Sequence, residues 1–334
     1  MSIGHTRTEA PPITIAAGTA FALLVALAQA SGEPREELAN ELGAALNEVG
    51  DSEGESWLNL LGIPLDAGSP YGAKRLAEVV GSMEPVELRR HLLGRHAWSW
   101  CTLAGIEDIE LAAVGDAAAS ARLVKQPRYY AGHADASLGV LLTLNPSETQ
   151  HRIVAAIAAA GCLLAPTAAA ELETAEAAVY AAVAANPPLV AIERLATGYR
   201  YVPEPEAERV VLIPHLTPKL PLVLAQHRSS RLIAYRATAD RGSEERLLAL
   251  GRALADPKRV EILALVGRGI GRASDLVDAT GLTRSTVHHH LSQLRDAGLV
   301  ALEGNARAYT YVPRRAAADD AAALVADIIG TEEE

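Results

Sequence analysis

Three consecutive histidines, His288, His289 and His290, sit in the run TRSTVHHHLSQLRDAGLV at residues 283–300 and offer imidazoles to a metal ion. Their spacing opposes that use. Neighbours on a helix point about 100° apart and cannot converge on one ion, and a strand separates them further. Helical zinc sites pair histidines three or four residues apart, which this run does not provide. The two cysteines, Cys101 and Cys162, have no C-x-x-C partner and read as small buried hydrophobes. Cys101 follows His96 and His91 at a spacing that puts neither on its face of a helix. No Walker A loop, G-x-S-x-G elbow or H-E-x-x-H motif occurs, and GRGIGR at Gly267–Arg272 reads as a turn. Neither catalytic residues nor metal ligands nor a cofactor are expected.

The elements that must position the histidines are clearer. Thr283 can cap a helix in which Val287, Leu291 and Leu294 share one face and which Gly298 ends. The other face carries Arg284, Ser285, His288, His289 and Ser292, polar side chains of a reach suited to base edges in a major groove. Upstream, ASDLVDATGL forms a second short helix, with Ser274 as its expected cap and Thr280-Gly281 as the turn. Asp256-Pro257 opens a helix before it. Downstream, LVALEGNARAYTYVP reads as a β-hairpin with Arg307 near its tip.

ALADPKRVEILALV, GLTRSTVHHHLSQLRDAGLV and the hairpin, in this order, resemble a winged-helix domain of the arsenic-repressor (ArsR/SmtB) family, over roughly residues 243–330. The resemblance implies that the helix beginning after Thr283 is a recognition helix. Arg284, Ser285, His288 and His289 would then face a double-stranded operator, with Thr286 near its backbone, Arg307 contributed by the wing and His290 packed inward. It also implies a homodimer, for which Ala321, Leu324, Val325 and Ile328 offer a stripe on the last helix. Two metal sites known in the family are missing from the matching segments: RASDLVDA has no cysteine, and AAADDAAALVADIIGTEEE has acids but no histidine. Charge agrees with a DNA-facing domain. Residues 244–315 hold 11 Lys and Arg against 8 Asp and Glu, a net +3 in a chain of net −11.

The remaining stretch of about 240 residues is long enough for a core of its own. It is Ala-rich, with one Phe and two Met in the whole chain, so its core must be built from aliphatic side chains. Helical patterns are expected over residues 13–29, 34–49, 73–80, 85–103, 147–160 and 168–185, and strands over 209–213 and 231–235. The uncharged segment at residues 13–30 ends in Ala-x-Ala like a signal peptide. Glu9 and Pro11-Pro12 interrupt its approach, and it reads as a buried helix of a cytoplasmic protein without a membrane partner.

The expected fold is mainly α, in two parts. A helical domain at residues 1–240, with a small β element near 199–238, precedes a winged helix-turn-helix domain at 243–334 with a C-terminal dimerisation helix. The function expected is that of a DNA-binding transcriptional regulator rather than an enzyme. Its input would be a partner or a small organic molecule at the N-terminal domain, the molecule held by Trp98, Trp100 and Tyr129 with Arg95 or His96 as the polar anchor. The alternative is an enzyme or an architectural oligomerisation domain fused to the winged helix.

Overall fold

The computed structural model describes residues 11–67, 72–196, 198–237, 243–305, 308–314 and 317–330. In chain order the elements begin β1 (Ile13–Ile15), α1 (Thr19–Ser31), α2 (Asn40–Val49), α3 (Glu55–Asn59), α4 (Gly62–Asp66), α5 (Ala73–Ser82) and α6 (Pro85–Leu92). Next come α7 (Trp98–Ala104), α8 (Ile106–Val114), α9 (Ala117–Val124), α10 (Ala134–Thr143), α11 (Pro146–Ala159), α12 (Ala168–Ala185) and α13 (Pro188–Leu195). Strands β2 (Tyr199–Tyr201), β3 (Arg209–His215), β4 (Leu222–His227) and β5 (Ser230–Arg236) follow. The chain then forms α14 (Ser243–Leu254), α15 (Pro257–Gly267), α16 (Ala273–Thr280), α17 (Arg284–Asp296), β6 (Val300–Asn305), β7 (Ala308–Pro313) and α18 (Ala317–Ile329). The fold is mainly α, and it divides into two compact units.

Pro11–Ala181 together with Pro205–Ala237 make the first unit. Helix α1 is apolar on all sides and buried over nearly its whole length, the pattern of a helix enclosed by its neighbours. Its Leu23 and Leu27 form one core with Leu42, Leu46, Trp57, Leu88 and Ile153 and with Val211, Ile213 and Leu232 of the sheet. The sheet order is β1-β3-β5-β4, with β4 antiparallel to β5 and the other pairs parallel. Arg89, almost wholly buried, donates to the carbonyls of Leu144 (2.7 Å) and Ala112 (3.0 Å) and so joins the C-terminal ends of α10 and α8.

Three expected helices are shorter than the sequence pattern suggested. The stretch expected as one helix at residues 13–30 starts as a strand, because the β-branched run Ile13, Thr14, Ile15 pairs with Val210, Val211 and Leu212. The helix expected at 34–49 begins only at Asn40. Before it, Arg35 turns its guanidinium onto the carbonyls of Ala30, Ser31 and Glu33 and closes the end of α1. The helix expected at 85–103 breaks into α6 and α7 at Gly94, which takes a left-handed φ of +65°.

The second unit comprises Ala182–Glu204 and the described residues from Ser243 onward. Ile262, Val266, Leu276, Val287, Leu291, Leu294 and Val300 form its core. Its sheet differs from the expected hairpin by one strand. Tyr199–Tyr201, expected within a single β element at 199–238, instead pairs in parallel with Leu302–Gly304, giving the order β2-β6-β7. The Tyr199 hydroxyl donates to the Gly304 carbonyl (3.0 Å), and Arg200 pairs with Glu303 (3.0 Å).

Candidate nucleic-acid interface

Helix α17 is fixed at both ends by local chemistry. Thr283 is extended, and its Oγ1 accepts from the Thr286 N–H at 3.3 Å, while Gly298 just past the end takes φ +73°. Asp256 caps α15 in the same way, accepting from the N–H groups of Lys258 (2.8 Å) and Arg259 (3.1 Å) ahead of which stands Pro257. Helix α16 differs from expectation: no side chain caps it, and Ser274 Oγ bonds Asp275 Oδ1 instead.

Along α17, Val287, His290, Leu291 and Leu294 are buried, whereas Arg284, Ser285, His288 and His289 are exposed and Thr286 is half-buried. The histidine run is thereby divided, two side chains out and one in. Partial burial and the Arg284 guanidinium push the His288 pKa below its ordinary value. His289 Nε2 lies 2.9 Å from the Gln293 amide nitrogen. Gln293 in turn accepts from Arg259, which also donates to the carbonyls of Ala253 (2.9 Å) and Arg252 (2.6 Å). One guanidinium thus joins α14, α15 and α17. Arg307 lies outside the described residues.

On α18 the four residues expected at a dimer contact are not alike. Leu324 is buried against its own unit and Ala321 is half-buried, while Val325 and Ile328 are exposed together with Ile329. Helix α14 packs on α18 and leaves Leu248 exposed.

The residues expected around an effector are brought near one another in the first unit, but mostly as packed or paired groups. Trp100 lies edge-on to Tyr129 and stacks on Tyr130, with centroids 5.6 Å away in both cases, and both tyrosines are fully buried. Trp98 lies under the Arg231 guanidinium at 5.3 Å. Arg95 pairs with Glu110 (2.6 Å) and His96 with Glu87 (3.0 Å). Cys101 is half-buried and donates to the Arg95 carbonyl (3.1 Å); Cys162, expected to be buried, is exposed on the turn after α11.

No metal ligand was expected, yet the donor atoms of Glu87, His91 and His96 lie within 4.8 Å of one another. Part of this was legible, because Glu87 and His91 are four apart on one helix face. The approach of His96 was not, since it depends on the left-handed turn at Gly94.

Comparison with known proteins is confined to the second unit. Residues 256–301, from the α15 cap through the start of β6, match the family model described as bacterial regulatory protein, arsR family. The HTH-type transcriptional regulator CmtR of Mycobacterium tuberculosis is 46% identical over 68 residues, 20% of this chain and 58% of CmtR. The same regulator from Mycobacterium bovis gives the same figures. The HTH-type transcriptional regulator YgaV of Escherichia coli is 36% identical over 70 residues, 21% of this chain and 71% of YgaV. The chain therefore spans somewhat under three fifths of the length of the first relatives it matches. No solved structure matches it significantly. A capped helix with a divided polar and apolar face, set between a helix-turn and a wing and aligned over most of one regulator's length, places this chain in the arsR family of bacterial regulatory proteins.

Proposed function

We propose that this protein is a DNA-binding transcriptional regulator that reads a double-stranded operator through the exposed face of α17. The observation that carries this reading is the division of α17: Arg284, Ser285, His288 and His289 face outward while Val287, His290, Leu291 and Leu294 anchor the helix in the core. An arginine suits guanine O6 and N7, and short hydroxyl and imidazole groups suit neighbouring edges and phosphates. Relatives with the same segment are named HTH-type transcriptional regulators. The working form is a homodimer, whose contact the exposed Leu248, Val325, Ile328 and Ile329 on α14 and α18 supply. The unit formed by Pro11–Ala181 and Pro205–Ala237 receives the signal, in the cytoplasm and without catalysis. An organic effector at Trp100 and Tyr129 requires their ring stack to open. Among the described residues, no single helix is long and apolar enough to cross a membrane.

The test is selection of bound fragments from a random duplex pool, followed by mobility shifts on the selected site. Wild-type protein should enrich one two-fold symmetric sequence, and the double variant Arg284→Ala with His289→Ala, folded by circular dichroism, should lose it. Retained affinity in that variant would overturn the assignment of α17. Adding a metabolite panel, zinc or chelator to the same shift assay, and assaying for turnover, separates a regulator from an enzyme fused to a winged helix.

A further inference from the structure

We propose that Glu87, His91 and His96 form a binding site for one divalent transition-metal ion, zinc above all, in the unit that lies outside the arsR-type region. The inference concerns metal binding alone and does not depend on operator recognition.

Helix α6 supplies the first two donors from one face, Glu87 and His91, with Nε2 of His91 4.0 Å from Glu87 Oε1. Past the turn at Gly94, His96 brings its Nε2 to 3.0 Å from the same carboxylate oxygen. A tetrahedral zinc with bonds of about 2.0–2.1 Å sets its donors about 3.3 Å apart, so the three atoms need to draw together by no more than about 1.5 Å. Two imidazoles and a carboxylate are a borderline donor set, suited to zinc and its first-row neighbours, and they leave the remaining coordination position to water or a small ligand.

The surroundings hold these side chains in the required orientation. Glu87 Oε2 accepts from Arg90 (3.0 Å), which leaves Oε1 facing the histidines, and Arg90 and Arg95 both pair with Glu110 (2.8 and 2.6 Å). His227, at the end of β4, stacks on His91 with centroids 5.6 Å apart and planes at 12°. Its Nε2 is held by Asp66 (2.8 Å), and Arg228 pairs with the same carboxylate (2.8 Å). The Arg228 N–H donates to the His96 carbonyl (2.7 Å), which ties the β4–β5 turn to the backbone of a proposed ligand. Gly62 makes room for this wall, because a Cβ there would stand 2.1 Å from His227 Nδ1.

His91 is only 4% exposed, its Nδ1 is buried with no hydrogen-bond partner, and its Nε2 stands beyond hydrogen-bond reach of Glu87. With the ring proton on Nδ1, the Nε2 lone pair is left on the side of Glu87 Oε1, where an ion would be held.

The experiment uses full-length protein stripped with chelator and titrated with zinc, and with cobalt as a spectroscopic probe. One zinc should bind per chain, and cobalt should give the visible absorption of a tetrahedral site. His96→Ala and the isosteric Glu87→Gln should each weaken binding at least as much as the roughly 10–100-fold losses typical of outer-shell changes. Both variants should keep the metal-free circular dichroism spectrum. Replacing His288 and His289 by Ala should leave zinc uptake unchanged, whatever it does to operator binding. No stoichiometric uptake by the wild type, uptake unaffected in Glu87→Gln, or uptake lost with His288 and His289 would each overturn the proposal.

Discussion

Arg284 and His289 stand one turn and a fraction apart on the open side of α17, and each is expected to contribute separately to operator binding. Replacing either with Ala should cost about 1–3 kcal/mol of specific affinity, with relaxed preference at one or two base positions, as read by a shift assay on a panel of single-base operator variants. A uniform loss across the panel would instead assign that side chain to phosphate. His215 gives the residue scale a pH signature in the other unit. It is wholly buried, its Nδ1 accepts from the Thr217 N–H (3.1 Å), and its Nε2 has no partner. Burial, with Arg236 nearby, pushes its pKa down to about 3, against an unfolded value of about 6.5. Above the unfolded value both states hold the ring neutral and its contribution is fully present. As pH falls from about 6.5 towards 3 the unfolded chain takes up the proton first, so stability is lost through that window. Denaturant melts between pH 7 and 4 should show the decline, and His215→Phe should make it shallower.

At the scale of elements, the wing approaches the helix-turn most closely at Gly271, beside the packing of Val300 and Tyr311 on the helical core. A Cβ at Gly271 would stand 2.1 Å from the Tyr311 carbonyl oxygen on β7, and the Tyr311 N–H donates to the Gly271 carbonyl (2.8 Å). The Thr310 hydroxyl, at 2.5 Å from the same Cβ, could turn aside, but the Tyr311 backbone could not. Gly271→Ala should therefore destabilise the protein by about 1–3 kcal/mol, as overpacking does, and should weaken operator binding through a displaced wing. An unchanged thermal midpoint in this variant would contradict that geometry. Arg259 is the corresponding tie among α14, α15 and α17, and its neighbours Ala253, Arg252 and Gln293 explain why a half-buried arginine is placed there.

For the whole molecule, the exposed apolar residues of α18 matter because one winged helix reads only half of a symmetric site. Val325 and Ile328 are 43% and 46% exposed, and they are the side chains that the proposed dimer would cover. Changing both to Asp should give a monomer by light scattering at micromolar concentration and should weaken operator affinity, while leaving the Leu324-anchored fold of the unit intact. A dimer that survives this double change would move the contact elsewhere. Leu324→Asp should instead lower stability, because that side chain packs inward.

What could be read from the sequence follows the range of the forces involved. Thr283 and Asp256 as caps, Gly281 and Gly298 as left-handed stops, and the Val287, Leu291, Leu294 stripe depend on neighbours within a few residues, so local chemistry alone determined α15, α17 and their outward face. Composition likewise determined the mainly α class. Other features required contacts between distant parts of the chain. Ile13–Ile15 became a strand because β3, some 200 residues away, offered a partner, and Tyr199–Tyr201 joined the wing through Leu302–Gly304. Trp100, Tyr129 and Tyr130 closed on one another, a packing choice that periodicity does not encode. His227 reached His91 only through the β4–β5 turn and the gap at Gly62. Tertiary structure alone decided these points, because side chains distant in sequence meet only after the elements between them have packed.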